Sequence, residues 1–182
     1  MERRKTAVYP LAMTGMMAAL VAVTAPFAIP VGPVPLSLCS WMVCLAGYVL
    51  GARRAVAAVA VYVLLGAVGM PVFSGFAGGL GKLLGPTGGY LLGYLPLAAC
   101  AGWAAERFPQ NRWFQLASMV FGTALLYALG TAWYCFQADV TLEGALALCV
   151  LPFLPADCLK LAAALAVGPV LRRRMEQAGL ES

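Results

Sequence analysis

Residues 7–29 read AVYPLAMTGMMAALVAVTAPFAI, an uninterrupted stretch without one charged side chain. A bilayer core of about 30 Å asks for roughly 20 mostly apolar residues in one helix. This stretch is long enough to cross it. Arg3, Arg4 and Lys5 precede it, as they would in a secretory leader, but no small-residue cleavage site followed by a polar mature domain comes after it. It reads as a first membrane helix that ends between Pro26 and Pro35.

The pattern continues outward along the chain. Of 182 residues, 63% are hydrophobic and 10% charged, too few charges to cover a soluble domain. Further spans are expected at about 36–50, 55–69, 90–105, 113–136 and 156–171. Gly51-Ala52-Arg53-Arg54 separates the second from the third. Glu106 to Arg112 follows the fourth, and Asp139 to Glu143 is a short polar stretch after the fifth. The expected fold is all-α: a polytopic membrane protein in which 1–182 forms one transmembrane domain, a six-helix bundle with no room for a separate soluble unit.

Six spans put both termini on one side. That side collects Arg3, Arg4, Lys5, Arg53, Arg54, Arg107, Arg112, Arg172, Arg173 and Arg174, ten of the twelve basic residues; Lys82 and Lys160 are the other two. An excess of Lys and Arg in short loops marks the cytoplasmic side, so both termini are expected there. The same scatter disposes of nucleic acid as the reason for the +5 charge, because no basic groove is formed. The chain has no histidine, which excludes His-based metal sites and Ser-His or Cys-His pairs. The six cysteines show no CxxC spacing and read as buried free thiols. No ATP-binding motif and no catalytic set is recognisable.

Two features break the rules of a plain bundle. The first is Met70 to Gly89, with Gly75, Gly78, Gly79, Gly81, Gly85, Gly88 and Gly89 close together. It cannot be a plain helix. It reads either as a flexible outer loop or as a loop folded over a cavity. Its large apolar residues, among them Val72, Phe73 and Phe76, favour the second. Lys82 does not occupy the lysine position of a phosphate-binding loop.

The second is Asp157 and Lys160, spaced i, i+3 on one face of the last helix. Charges in a span are costly and usually face the bundle interior. The pair reads either as a self-neutralising contact that fixes packing or as a polar anchor in an apolar pocket. Pro155 places it in the first helical turn. The sixteen residues from Ala156 to Leu171 rise about 24 Å, so the pair lies far from Arg172–Arg174, on the side of the glycine-rich segment. Such a site suits a ligand with an acidic or amide-like end and an apolar body. Lys160 would meet a carboxylate, or Asp157 would accept from N–H donors, with Phe73, Tyr90 and Trp41 covering the rest. A stripe of small residues on the first helix, Gly15 and Ala19 with Ala18 and Ala22, permits close packing, either inside the bundle or against a partner helix.

Three segments, GPVPLSLCSW (32–41), LLGAVGMPVFSGFAGGLGKLLGPTGGYLLGY (64–94) and LPFLPADCLK (151–160), resemble in order and spacing the BioY family, the substrate-binding (S) components of energy-coupling-factor (ECF) biotin transporters. The resemblance covers nearly the whole chain. It implies a six-helix S component that is not an enzyme, needs no cofactor and binds biotin from outside as the transported ligand. It also implies a transmembrane T component and a pair of cytoplasmic ATPases as partners in the cell membrane of a prokaryote. Asp157 and Lys160 match the family's aspartate and lysine, Tyr90 its loop tyrosine, and Gly15, Ala18, Ala19 and Ala22 the face toward the T component. Gly78 and Gly79 belong to the implied binding loop. Family members often carry glutamine where this chain has Cys39, and Ser40 is the neighbour able to replace that polar group. The readings left beside this one are an S component for another vitamin and a self-sufficient membrane carrier.

Overall fold

The computed structural model describes residues 2–31 and 34–177, with side chains described for 9–30 and 34–177. The first helix, α1 (Glu2–Thr24), carries Pro10 in its interior. The Thr14 hydroxyl donates to the Pro10 carbonyl at 2.8 Å. The helix closes with Thr24 donating to the Leu20 carbonyl, just before Pro26, since a residue preceding proline is pushed out of helical conformation.

The first span therefore stops at Thr24, short of the expected Ile29. An antiparallel hairpin comes next, β1 (Ala28–Val31) and β2 (Val34–Ser37), in register Ile29↔Leu36 and Pro30↔Pro35. Proline lacks an N–H and suits edge strands, and both strands of a two-stranded sheet are edges. The second helix begins at Cys39, where 36 was expected.

Helix α2 (Cys39–Ala67) turns at Gly51, whose φ of 73° and ψ of 177° are not helical. Cys39 and Tyr62 lie within side-chain hydrogen-bonding reach. In a straight helix their 23-residue separation would span about 35 Å. The element is thus two rods, 39–50 and 52–67, folded back on each other, and the expected second and third spans are joined by a single-residue turn. The glycine-rich stretch contains one short helix, α3 (Leu80–Leu83). Helix α4 (Gly88–Arg107) follows, then α5 (Arg112–Ala138), whose N-cap Asn111 accepts from the Phe114 N–H. A short helix unforeseen in the sequence, α6 (Leu142–Cys149), is capped by Thr141. Helix α7 (Leu154–Gln177) has Pro155 in its first turn and the arginine cluster near its end. It runs longer than the expected 156–171.

Counting both rods of α2, six long helical rods form the bundle, as six spans require. Arg112–Ala138 and Leu154–Gln177 are each long and apolar enough to cross a membrane. Leu11, Trp113, Phe136 and Leu159 are more than 70% exposed, as side chains facing lipid would be. Lipid is as apolar as leucine, so association inside a bilayer depends on close packing. A Cβ on Gly102 of α4 would come within 2.5 Å of the Ala52 backbone nitrogen, which lets α4 pack directly onto α2. Around this contact lies a core of Val21, Val43, Val59, Leu97, Met119 and Ala164.

The two ends differ. At one end Gly51 faces Glu106, the Tyr48 hydroxyl donates to Gln115, and Arg172 and Arg173 line a cavity with Tyr48 and Gln115. Trp103, Phe108 and Phe114 cluster there beside Arg107 and Arg112. The opposite end carries the hairpin, the glycine-rich stretch, α6 and the start of α7.

Candidate functional site

The start of α7 places Asp157 and Lys160 side by side. Lys160 Nζ sits 2.8 Å from Asp157 Oδ1, with side chains only 12% and 13% exposed. The Tyr127 hydroxyl, from α5, donates to Asp157 Oδ2. Lys160 also donates to Ser40 Oγ, on α2, at 3.4 Å. Both carboxylate oxygens are therefore engaged, each by one donor. An ionised carboxylate offers about four acceptor sites, so Asp157 keeps capacity for donors of a ligand.

These groups open into a cavity with Ser37, Ser40, Tyr90, Tyr94, Tyr127, Asp157 and Lys160 on its wall. Val34, Leu126, Cys149 and Phe153 supply its apolar surface. The helix α6 missed in the sequence contributes Cys149 and leads to Phe153. The Tyr90 hydroxyl is paired with Thr131 Oγ1 at 3.2 Å, which fixes its ring against α5.

Lys160 lies on the wall between this cavity and a wider apolar groove bounded by Phe27, Ile29, Leu38, Gly75 and Phe76. There the glycine-rich stretch meets the hairpin: the Gly75 N–H donates to the Pro26 carbonyl at 3.0 Å, and the Phe27 and Phe76 rings meet edge to face at 5.6 Å. The loop is thus folded onto the bundle, on the same end as Asp157 and Lys160.

Of the residues singled out in the sequence, Asp157, Lys160, Ser40 and Tyr90 share one cavity. Phe73 is fully buried against Tyr62, and it borders a neighbouring cavity together with Tyr90 and Tyr94. Trp41 is packed against the bundle core. Gly78 lies against the Met70 carbonyl, and the Gly79 N–H donates to the Gly66 carbonyl. Trp41, Gly78 and Gly79 line neither the Asp157 cavity nor the groove beside it. Tyr94, Tyr127 and Ser37 were not foreseen. Tyr94 follows Tyr90 by one helical turn, a spacing that could have flagged it. Tyr127 left no local trace, because its partner is 30 residues away.

Cys39 is buried beside Tyr62 and Tyr94, and its N–H donates to Ser37 Oγ. Its neighbour Ser40 does present a polar group to the site. The expectation of buried thiols holds for Cys39, Cys44 and Cys149. Cys158 departs from it and is exposed, because its position falls on the outer face of α7. The small-residue stripe divides: Ala18 and Ala22 turn into the bundle core, whereas Gly15 and Ala19 face outward.

The sequence matches the profile of the BioY family over residues 1–177. It is 41% identical to the biotin transporter BioY of Thermotoga maritima, over 90% of this chain and 95% of that one. It is 35% identical to biotin transporter BioY2 of Lactococcus lactis, over 86% of each. The fold is similar to the crystal structure of the S-component for biotin from an ECF-type ABC transporter, with a TM-score of 0.85, 28% identity and 93% of both chains covered.

Proposed function

The chain belongs to the BioY family, a family of transporters and not of enzymes, and on that premise we propose that it is the biotin-capturing S component of an ECF-type uptake system. The observation that carries the proposal is the cavity in which Ser40, Tyr127, Asp157 and Lys160 form one hydrogen-bonded group. Biotin offers two ureido N–H donors and a carbonyl on a fused ring, with an acid at the end of an alkyl chain. Asp157 accepts from the N–H groups, Lys160 and Ser40 lie beside the carbonyl, and the apolar wall takes the ring. A desolvated site gives each of these contacts more weight than water would.

The whole chain acts as one multi-pass domain in the plasma membrane of a prokaryote. The arginine-rich end lies in the cytoplasm with both termini, and the Asp157 cavity opens to the outside. A T component and cytoplasmic ATPases supply the energy, and biotin is cargo, with no resident cofactor. Gly15 and Ala19 are the small outward residues of α1 suited to receive the T component.

Calorimetry on the purified full-length protein tests this. The wild type binds biotin, and Asp157→Asn and Lys160→Ala each weaken binding by about 10- to 100-fold, the worth of one charged hydrogen bond. Unchanged affinity in both variants would sink the site assignment. A panel of other vitamins in a thermal-shift assay separates this reading from an S component of different specificity. Uptake by proteoliposomes holding this chain alone would instead support a self-sufficient carrier.

A further inference from the structure

Beside the Asp157 cavity lies a second one, lined by Phe73, Ser74, Lys82, Thr87, Tyr90 and Tyr94. Tyr90 and Tyr94 border both, so the two spaces are neighbours across a shared aromatic wall. Three features of the second converge on one chemistry. Lys82 is one of the two basic residues outside the arginine-rich end, and among the described residues it has no ion pair, whereas Lys160 is held by Asp157. Thr87 is only 9% exposed, and its hydroxyl is buried without a hydrogen-bond partner among the described residues. Thr87 is also the N-cap of the twenty-residue helix α4, yet its side chain makes no capping bond. A threonine at that position normally caps its own helix, and a buried hydroxyl left without a partner is destabilising. The positive end of the helix dipole adds to the lysine charge at the same spot.

A free cation, an unspent hydroxyl and a helix N-terminus in one cavity are the parts of an anion site. We propose that Lys82 and Thr87 form a carboxylate subsite that receives the acid end of the ligand while its N–H-bearing ring occupies the Asp157 cavity. This subsite rests on the biotin reading and deepens it. It fixes the direction in which the ligand lies, assigns the charge recognition to Lys82 and leaves Lys160 to its pairing with Asp157. It also predicts selection against ligands whose tail is neutral.

The test compares biotin with biotin amide, which differ only in the tail charge, on full-length protein by calorimetry. Lys82→Ala weakens biotin by about 10- to 100-fold, and Thr87→Val by about tenfold. Lys82→Arg, which keeps the charge, stays within about threefold of wild type. Biotin amide binds the wild type more weakly than biotin does, and Lys82→Ala weakens it no further, because the amide has no negative charge for Lys82 to pair with. Should Lys82→Ala fail to fold, Lys82→Met keeps the aliphatic stem for the same comparison. Equal losses for biotin and its amide would make Lys82 a structural residue and overturn the proposal. So would unchanged biotin affinity in Lys82→Ala and Thr87→Val, with the biotin reading left standing. A wild type that binds no biotin removes the reading and this subsite together.

Discussion

The hydroxyl of Tyr127, in the middle of α5, donates to the Oδ2 atom of Asp157 in the first turn of α7. Lys160 holds Oδ1 of the same carboxylate at 2.8 Å. The carboxylate is thereby oriented by two elements before any ligand arrives, and preorganisation of this kind reduces what binding must spend on ordering side chains. Tyr127→Phe keeps the ring and deletes the donor. It should weaken biotin by about tenfold, in line with one hydrogen bond to a charged group. Measured with Asp157→Asn in a double-mutant cycle, the two losses should fall short of additivity. Full additivity would mean that Tyr127 does not act through Asp157.

The turn at Gly51 is the hinge on which α2 folds back. Its φ of 73° and ψ of 177° belong to a region that is essentially glycine's alone, with a cost for other residues of order 1–3 kcal/mol. Gly51→Ala also places a Cβ against the Glu106 carboxylate. The variant should melt about 5 °C lower in detergent, by scanning fluorimetry. An unchanged melting temperature would show that the turn tolerates a side chain.

The two halves of the small-residue stripe on α1 should behave differently. Nothing lies within 4 Å of a Cβ built on Gly15, so Gly15→Leu should leave stability and biotin binding unaltered while weakening co-purification with a T component. Ala18 is 2% exposed in the core. Ala18→Leu should overpack it, at a cost of about 1–3 kcal/mol, and lower the melting temperature. Equal effects of the two substitutions would remove the assignment of an outward partner face.

At the arginine-rich end, Gln115 is 1% exposed and fully used. It accepts from the Tyr48 hydroxyl at 3.0 Å and donates to the Phe108 carbonyl at 2.8 Å and the Pro109 carbonyl at 3.2 Å. These bonds tie α2 to the short connection between α4 and α5. Gln115→Leu strands buried polar partners, which should cost about 1–3 kcal/mol. Biotin affinity, read at the opposite end, should be unchanged. A loss of affinity comparable to that of Asp157→Asn would mean that the two ends are coupled.

By itself the sequence determined the membrane bundle, the glycine-rich break in it and the common face of Asp157 and Lys160, and for good physical reasons. Apolar run length decides what can span a bilayer. The i, i+3 spacing of Asp157 and Lys160 puts them on one helical face whatever surrounds them, and Pro155 sets the start of that helix. The excess of arginine in alternate loops is visible without coordinates. The segments around Trp41, Tyr94 and Lys160 also carried the family resemblance. The tertiary structure alone decided the rest. The hairpin at Ala28–Ser37 depends on one proline-containing strand pairing with another. Ala18 and Gly15 differ in role only through the rotation of α1 on its neighbours. Tyr127 meets Asp157, and Thr87 shares a cavity with Lys82, because separate helices bring them together, and no local pattern of residue types encodes such a meeting.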